Sequence, residues 1–468
     1  MRKPELVFIP GPGIGHIASV AEFATRLLDR DARLSITVVV ITTPITPDVD
    51  AYIQSLVASD SRIRYIILPL VEPPSLELLT CPENYVTVLI ENHKHCVKNA
   101  IQKHVLSESR PLAGLVIDFF CTSMIDVANE LNAPSYLYFP STAAFLGLML
   151  YIPTHNEKSG EIFEISDSDH DIPTYPNPVP ARVLPNVTFQ EEGYACFLKH
   201  SSRFQETNGY IINSFSELEP YAITTLAADK KNPPVYTVGP LLDLKNGGKG
   251  SAFKRESIMN WLDAQPDSSV VYLSFGSMGA FDPPQLMEIA IALEKSGLRF
   301  LWCMRQARSS EKFSIIDRVS SLDGFLPKGF LERTKTRGMI CGWAPQVDVL
   351  AHEAVGGFVS HCGWNSILES LWNGVPIATW SIYAEQQLNS FEMVKVLGLA
   401  VELKIDYRCG TGLVTANEIE KGVTSLMDQE NVVRKKVKQM KEKCRQAVVE
   451  GGSSFDSLGC FIQKIVGK

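Results

Sequence analysis

The strongest constraint on this chain is an alternation that spans nearly its whole length and occurs twice. Short apolar runs are each followed by an amphipathic stretch: LVFI (6–9), LSITVVVI (34–41), RYIIL (64–68), AGLVID (113–118), PSYLYF (134–139), GYIINSF (209–215) and VYTVG (235–239). Strands that are apolar at nearly every position are covered on both faces. Separated by helices, they specify a parallel sheet of α/β type. LLDLKNGGKGSAFKRES (241–257), rich in Gly, Lys and Ser, then breaks the pattern and reads as a linker. The alternation resumes with VVYLSF (270–275), RFLWCM (299–304), GMICG (338–342), GGFVS (356–360) and VPIATW (375–380), and closes in a helical stretch from about 416. Two successive βα domains are predicted, with a ligand in the cleft between them, at the carboxyl ends of the strands. A segment rich in Pro, Asp and Ser, 157–190, is expected to be surface loop.

Composition excludes several classes of partner. Of 468 residues, 45% are hydrophobic and 21% charged, an ordinary soluble globular balance. The formal charge of −8 gives no electrostatic footprint for nucleic acid or an anionic membrane. No apolar stretch approaches the roughly 18 residues of a membrane span. The apolar run before Pro10 is too short for a secretory h-region. The ten cysteines are scattered without a CxxC pair, which fits reduced thiols and a cytoplasmic location. HKHC (93–96) has no matching second pair and reads as a solvated helix face rather than a metal site.

The turn after the first strand, GPGIGHI, carries Gly11, Gly13 and Gly15. A dinucleotide fingerprint needs G-x-G-x-x-G and an acidic residue ending the second strand. Here the spacing is G-x-G-x-G, and the second strand runs into ITTPITP. The glycines permit a tight strand-to-helix turn, and the turn delivers His16 to the start of the first helix. Asp118 ends the strand GLVID and so reaches the same carboxyl edge. A carboxylate beside Phe119 and Phe120 is costly without a partner. One reading pairs it with His16, the arrangement of an oriented general base. The other makes it the cap of a helix starting near Thr122.

Residues 343–386, WAPQVDVLAHEAVGGFVSHCGWNSILESLWNGVPIATWSIYAEQ, are the most specific stretch. They closely resemble the signature box of the plant secondary-product UDP-glycosyltransferases. PGPGIGHI, DFFCTSMIDVANE, YLSFGSMG and AEQQLNSFEMV resemble that family in the same order, so the likeness spans the chain. It implies a GT-B fold: two Rossmann-like βα domains facing each other across a cleft. The acceptor domain would be 1–240, the linker 241–257 and the UDP-sugar domain 258–450, with a helix at 451–468 packing back on the first domain.

The residues of the box have a physical reading of their own. FVSHCGWNSILES is a strand, a glycine-containing turn and a helix opening near Asn365 and Ser366. Such a helix start holds anions. His361, Asn365, Ser366 and, after another strand, Ser277 add donors for a diphosphate without metal. Ordinary N-capping is the alternative. Glu369 lies one turn after Asn365 and can accept ribose hydroxyls, or it is a solvated helix charge. The resemblance further implies uracil stacking on Trp343, nucleoside contacts at Ala344 and Gln346, and sugar contacts at Trp364, Glu385 and Gln386. A glutamine at that last position is associated in the family with glucose. Trp372 and Trp380 read as core.

The implied reaction is an inverting transfer of glucose from UDP-glucose to a hydroxyl of a flavonoid, other phenolic, terpenoid or hormone, with His16 as base held by Asp118. No cofactor or metal is expected, and the protein is expected to be a monomer. Acceptor candidates are Ile14, Phe119, Phe120, Ser141, Phe145, Phe197 and Tyr383; each of the apolar ones is equally a core residue. A sugar-nucleotide epimerase, a UDP-sugar-binding protein without activity and a nicotinamide dehydrogenase are the competing readings. The full box, the His16–Asp118 pair and the glycine spacing argue against them in turn.

Overall fold

The computed structural model describes residues 3–43, 49–244, 252–276, 279–304, 325–405 and 412–467; the expected linker lies partly outside them. The chain divides into two units. One comprises Met1–Ala181, Asn186–Asp243 and Gln446–Lys468; the other comprises Arg182–Pro185 and Leu244–Arg445.

The first unit is built on seven parallel strands: β1 Glu5–Ile9, β2 Ser35–Val40, β3 Ile63–Ile67, β4 Leu112–Asp118, β5 Ser135–Phe139, β6 Tyr210–Ile212 and β7 Val235–Thr237. Their order is β3-β2-β1-β4-β5-β6-β7. Side chains alternate between faces, and both faces are covered. Leu6 and Phe8 enter one core, with Ile36, Val38 and Val116; Val7 and Ile9 enter the other, with Val39, Leu115 and Ile117. This is why the sequence shows unbroken apolar runs. The helix Ser453–Val466 lies on the first face, contributing Leu458, Phe461, Ile462 and Ile465 to that core.

The second unit repeats the plan with six parallel strands: β8 Val270–Ser274, β9 Arg299–Cys303, β10 Gly338–Cys341, β11 Val355–Ser360, β12 Ile377–Trp380 and β13 Ala400–Lys404. The order is β10-β9-β8-β11-β12-β13. In both sheets the strand order reverses beside the first strand, between β1 and β4 and between β8 and β11. Crevices for ligands open at such reversals.

Three expectations, on 157–190, HKHC and Trp372, are corrected, and one further strand, β13, is found. Residues 157–190 are irregular but not a surface loop: Phe163, Ile172, Tyr175, Val179 and Leu184 are buried. His93 is buried, its Nδ1 2.8 Å from the carbonyl of Leu89, so HKHC is not wholly a solvated face. β13 escapes a pattern search because Glu402 and Lys404 interrupt its apolar run. Trp380 is fully buried, whereas Trp372 is half-buried with the Arg445 guanidinium 5.6 Å from its ring centre.

Candidate active site

In the first unit, the turn after β1 feeds the helix Ile14–Arg30, with Gly13 at its N-cap in extended backbone. His16 is the third residue of that helix, and Asp118 is the last of the neighbouring strand β4. Nδ1 of His16 lies 2.7 Å from Oδ2 of Asp118; the carboxylate side chain is wholly buried and the imidazole about one-third exposed (31%). The other carboxylate oxygen, Oδ1, accepts the backbone N–H of Phe120 at 3.1 Å. A carboxylate only accepts, so Nδ1 is the donor in this bond. Asp118 thus binds the histidine and braces the turn that follows, but it does not cap the next helix, which runs Met124–Glu130 with Ser123 at its N-cap and no side-chain cap.

Gly11 is what permits this approach. A Cβ there would stand 3.1 Å from Oδ1 of Asp118 and 3.2 Å from Nδ1 of His16. The answer to the glycine spacing is therefore steric: the turn clears room for the dyad.

Aromatic rings gather beside the dyad. Phe119 stacks 6.0 Å from His16, Phe120 lies 6.2 Å away, Phe145 meets Phe119 edge-on at 6.5 Å, and Phe197 follows Phe145 at 6.3 Å. Phe139, which the sequence did not single out, joins them 5.2 Å from Phe119. Ile14 is 40% exposed at the start of the helix, while Ser141 is buried. The helix Ala143–Ser159 is not an open anion site. Thr142 accepts the N–H of Phe145 at 2.8 Å, and buried Glu219 accepts those of Ala143 and Ala144 at 3.0 and 2.9 Å.

His200 lies behind this wall, its two ring nitrogens each 2.8 Å from a threonine hydroxyl, Thr87 and Thr122. Burial pulls its pKa down to about 4, so the ring is neutral. Neither Glu219 nor His200 has a sequence signature, because the helix-start N–H groups that Glu219 accepts and the threonines that hold His200 are 75 or more residues away.

In the second unit, β11 ends at Ser360 and the helix Trp364–Asn373 begins with glycine, Gly363, at its N-cap. No side chain caps this helix start, and its first turn has no acidic residue. The amide groups and the positive end of the dipole suit an anion there. Asn365 and Ser366 lie inside the first turn and are not its caps. His361 stands between two glycines: a Cβ on Gly276 or Gly363 would come within 2.7 or 2.6 Å of its Nε2. Gly276, after β8, has φ +75° and Cys362, after β11, φ +63°, so each of the two turns passes through the left-handed region. Burial pushes the Cys362 thiol up to about 12. Ser277 lies outside the described residues.

Gln346 opens the helix Gln346–Ala351 and reaches across to its neighbour. Its Nε2 donates to Ser366 Oγ and Glu369 Oε2, both at 2.7 Å. Three predicted residues thereby form one cluster. Trp343, half-buried, and Ala344, buried, precede Gln346 in the turn after β10. Trp364 is buried as the first residue of its helix, and the Tyr383 ring lies 6.3 Å from that of His361. Glu385 stands at the N-cap position of the helix Gln386–Phe391 without a side-chain capping bond. Gln386 is buried, its Oε1 accepting the N–H groups of Ile382 and Tyr383, each at 3.0 Å. Ala384, at φ +54°, lies in the same turn. Among the described residues no group of three or more His, Cys, Asp or Glu side chains gathers as metal ligands, and no helix is long and apolar enough to cross a membrane.

Comparison with known proteins agrees with this geometry. Residues 250–438 match the family described as UDP-glucoronosyl and UDP-glucosyl transferase. The chain is 48% identical to UDP-glycosyltransferase 71K1 of Malus domestica, over all of both proteins. It is 48% identical to UDP-glucose flavonoid 3-O-glucosyltransferase 6 of Fragaria ananassa, over 99% of each. The crystal structure of UGT71G1 from Medicago truncatula, complexed with UDP-glucose, superposes with a TM-score of 0.91 at 50% identity, covering 99% of both chains. Two parallel Rossmann-like sheets of the GT-B type and relatives of this identity along the whole chain lead to one assignment: the protein belongs to the plant family 1 UDP-glycosyltransferases and is such an enzyme.

Proposed function

We propose that the enzyme transfers glucose from UDP-glucose to a hydroxyl of a small lipophilic plant metabolite, a flavonoid, other phenolic or terpenoid, giving a β-glucoside. The observation that carries this reading is the 2.7 Å bond between His16 and buried Asp118. His16 Nε2 takes the acceptor proton as the hydroxyl oxygen attacks the anomeric carbon, and Asp118 stabilises the imidazolium that forms. UDP departs as the C–O bond to its phosphate breaks. One displacement inverts the α-linked donor. In this reading 1–240 and the terminal helix serve the acceptor and 258–450 the donor.

The donor roles follow from the second unit. The helix start after Gly363, with His361, Asn365 and Ser366, meets the charge developing on the diphosphate. Trp343 stacks on uracil beside Ala344, and Glu369, pre-positioned by Gln346, accepts ribose hydroxyls. Trp364, Glu385 and Gln386 face the sugar, Gln386 through its Nε2, since its Oε1 is held by the turn. The cluster of Phe119, Phe120, Phe145 and Phe197 supports an aromatic acceptor, as does the flavonoid named for the Fragaria relative.

The test is UDP release from UDP-glucose with a panel of flavonoids, simple phenols, terpenoid alcohols and hormone acids, for the protein and its His16→Ala variant. Acceptor-dependent turnover should fall by about 10²–10⁴ in the variant while UDP binding persists. Equal turnover would remove His16 as the base. UDP binding with no turnover on any acceptor would leave a binding protein.

A further inference from the structure

Two cysteines outside these roles meet at the carboxyl edge of the second sheet. Cys303 ends β9 and Cys341 ends β10, and the two are register partners on adjacent parallel strands. Their Sγ atoms are 3.5 Å apart. Neighbouring strands lie about 4.8 Å apart, inside the roughly 4.4–6.8 Å Cα separation that a disulfide spans. The backbone is therefore already placed for a bond, and the sulfurs have about 1.5 Å to close. Cys341 is partly exposed, whereas Cys303 is buried beneath it.

We propose that Cys303 and Cys341 are an oxidisable dithiol whose closure to a disulfide weakens UDP-sugar binding. Hydrogen peroxide oxidises the more accessible Cys341 thiol to a sulfenic acid, releasing one water. The Cys303 sulfur then attacks Cys341 Sγ, forming the S–S bond and expelling the hydroxyl as a second water. Two thiols and one peroxide give one disulfide and two waters. The Tyr272 hydroxyl, 3.7 Å from Cys303 Sγ, can donate to the thiolate that attacks.

The coupling to the donor follows from position. Trp343 stands two residues beyond Cys341 and shares its turn with Ala344 and Gln346. Beyond β9, the N–H of Met304 donates to the carbonyl of Cys341 at 2.9 Å, so the two strand ends are already tied. Drawing the sulfurs together pulls that turn, and with it the ring assigned above to uracil; this half of the inference rests on the donor reading.

The experiment treats the full-length protein with hydrogen peroxide, blocks remaining thiols and maps the peptides by mass spectrometry, while UDP affinity is measured by calorimetry before and after. The expected result is a peptide pair joined through Cys303 and Cys341. The UDP dissociation constant should rise about tenfold, a displacement of this size being costly in a fitted site, and dithiothreitol should restore it. Cys303→Ser and Cys341→Ser should each bind UDP normally and lose the peroxide response. Oxidation confined to other cysteines overturns the proposal, as does a joined pair with unchanged UDP affinity. If the untreated protein binds no UDP, the donor reading fails, and the peptide map still decides whether the pair closes.

Discussion

A single hydrogen atom on Gly11 separates a working dyad from a crowded one. Gly11→Ala would push a methyl group against Asp118 Oδ1 and His16 Nδ1, at 3.1 and 3.2 Å. The imidazole must shift by tenths of an ångström, which should lower kcat about tenfold. UDP affinity should be unchanged, because the groups proposed to hold the donor lie in the other unit; calorimetry beside steady-state kinetics checks both. Gln386 offers a second test at this scale. Gln386→Glu keeps an oxygen for the N–H groups of Ile382 and Tyr383 but removes the Nε2 donor. It should raise KM for UDP-glucose several-fold and leave affinity for UDP itself nearly intact. His16 and Asp118 were legible as neighbours in the sequence because His16 opens the helix after one apolar run and Asp118 ends another, and strand ends share an edge. The use of Gly11, the link from Gln346 to Glu369 and the glycine walls of His361 were not, since each depends on side chains meeting across elements.

Among elements, the helix Glu191–Ser201 is held to its neighbours by His200, bonded to Thr87 in the helix Pro82–Asn92 and to Thr122 beyond β4. Burial keeps the folded pKa near about 4, against about 6.5 in an unfolded chain. Between those values the unfolded state binds the proton and the folded state does not. Stability is therefore complete above pH 6.5 and is lost as pH falls toward 4, by on the order of 3 kcal/mol. His155 and His170, also lowered by burial, act in the same direction. Urea midpoints at pH 7.5 and 5 should show a marked drop that His200→Gln reduces. The strands of both sheets were legible except β13, because coverage on both faces writes continuous apolar runs. The buried course of 157–190 was not, since Pro and Asp mark a chain's local bends and say little about what later packs over it.

For the whole molecule, the helix Ser453–Val466 carries more than its position in the sequence suggests. Phe461 meets Tyr136 at 5.0 Å and Tyr236 at 5.2 Å, Ser453 donates to Glu217 at 2.7 Å, and Ser454 donates to the carbonyl of Gly239 at 2.5 Å. Phe461→Ala should cost about 3–5 kcal/mol, seen as a lowered unfolding midpoint. The same residues set a timetable for synthesis. The ribosome makes roughly 200 residues between the last strand of the first unit and the helix that completes its core, which at about 5–20 residues per second takes on the order of 10–40 s. For that interval Tyr136 and Tyr236 await their cover while all the strands of the second sheet emerge, so the part translated first is the part finished last.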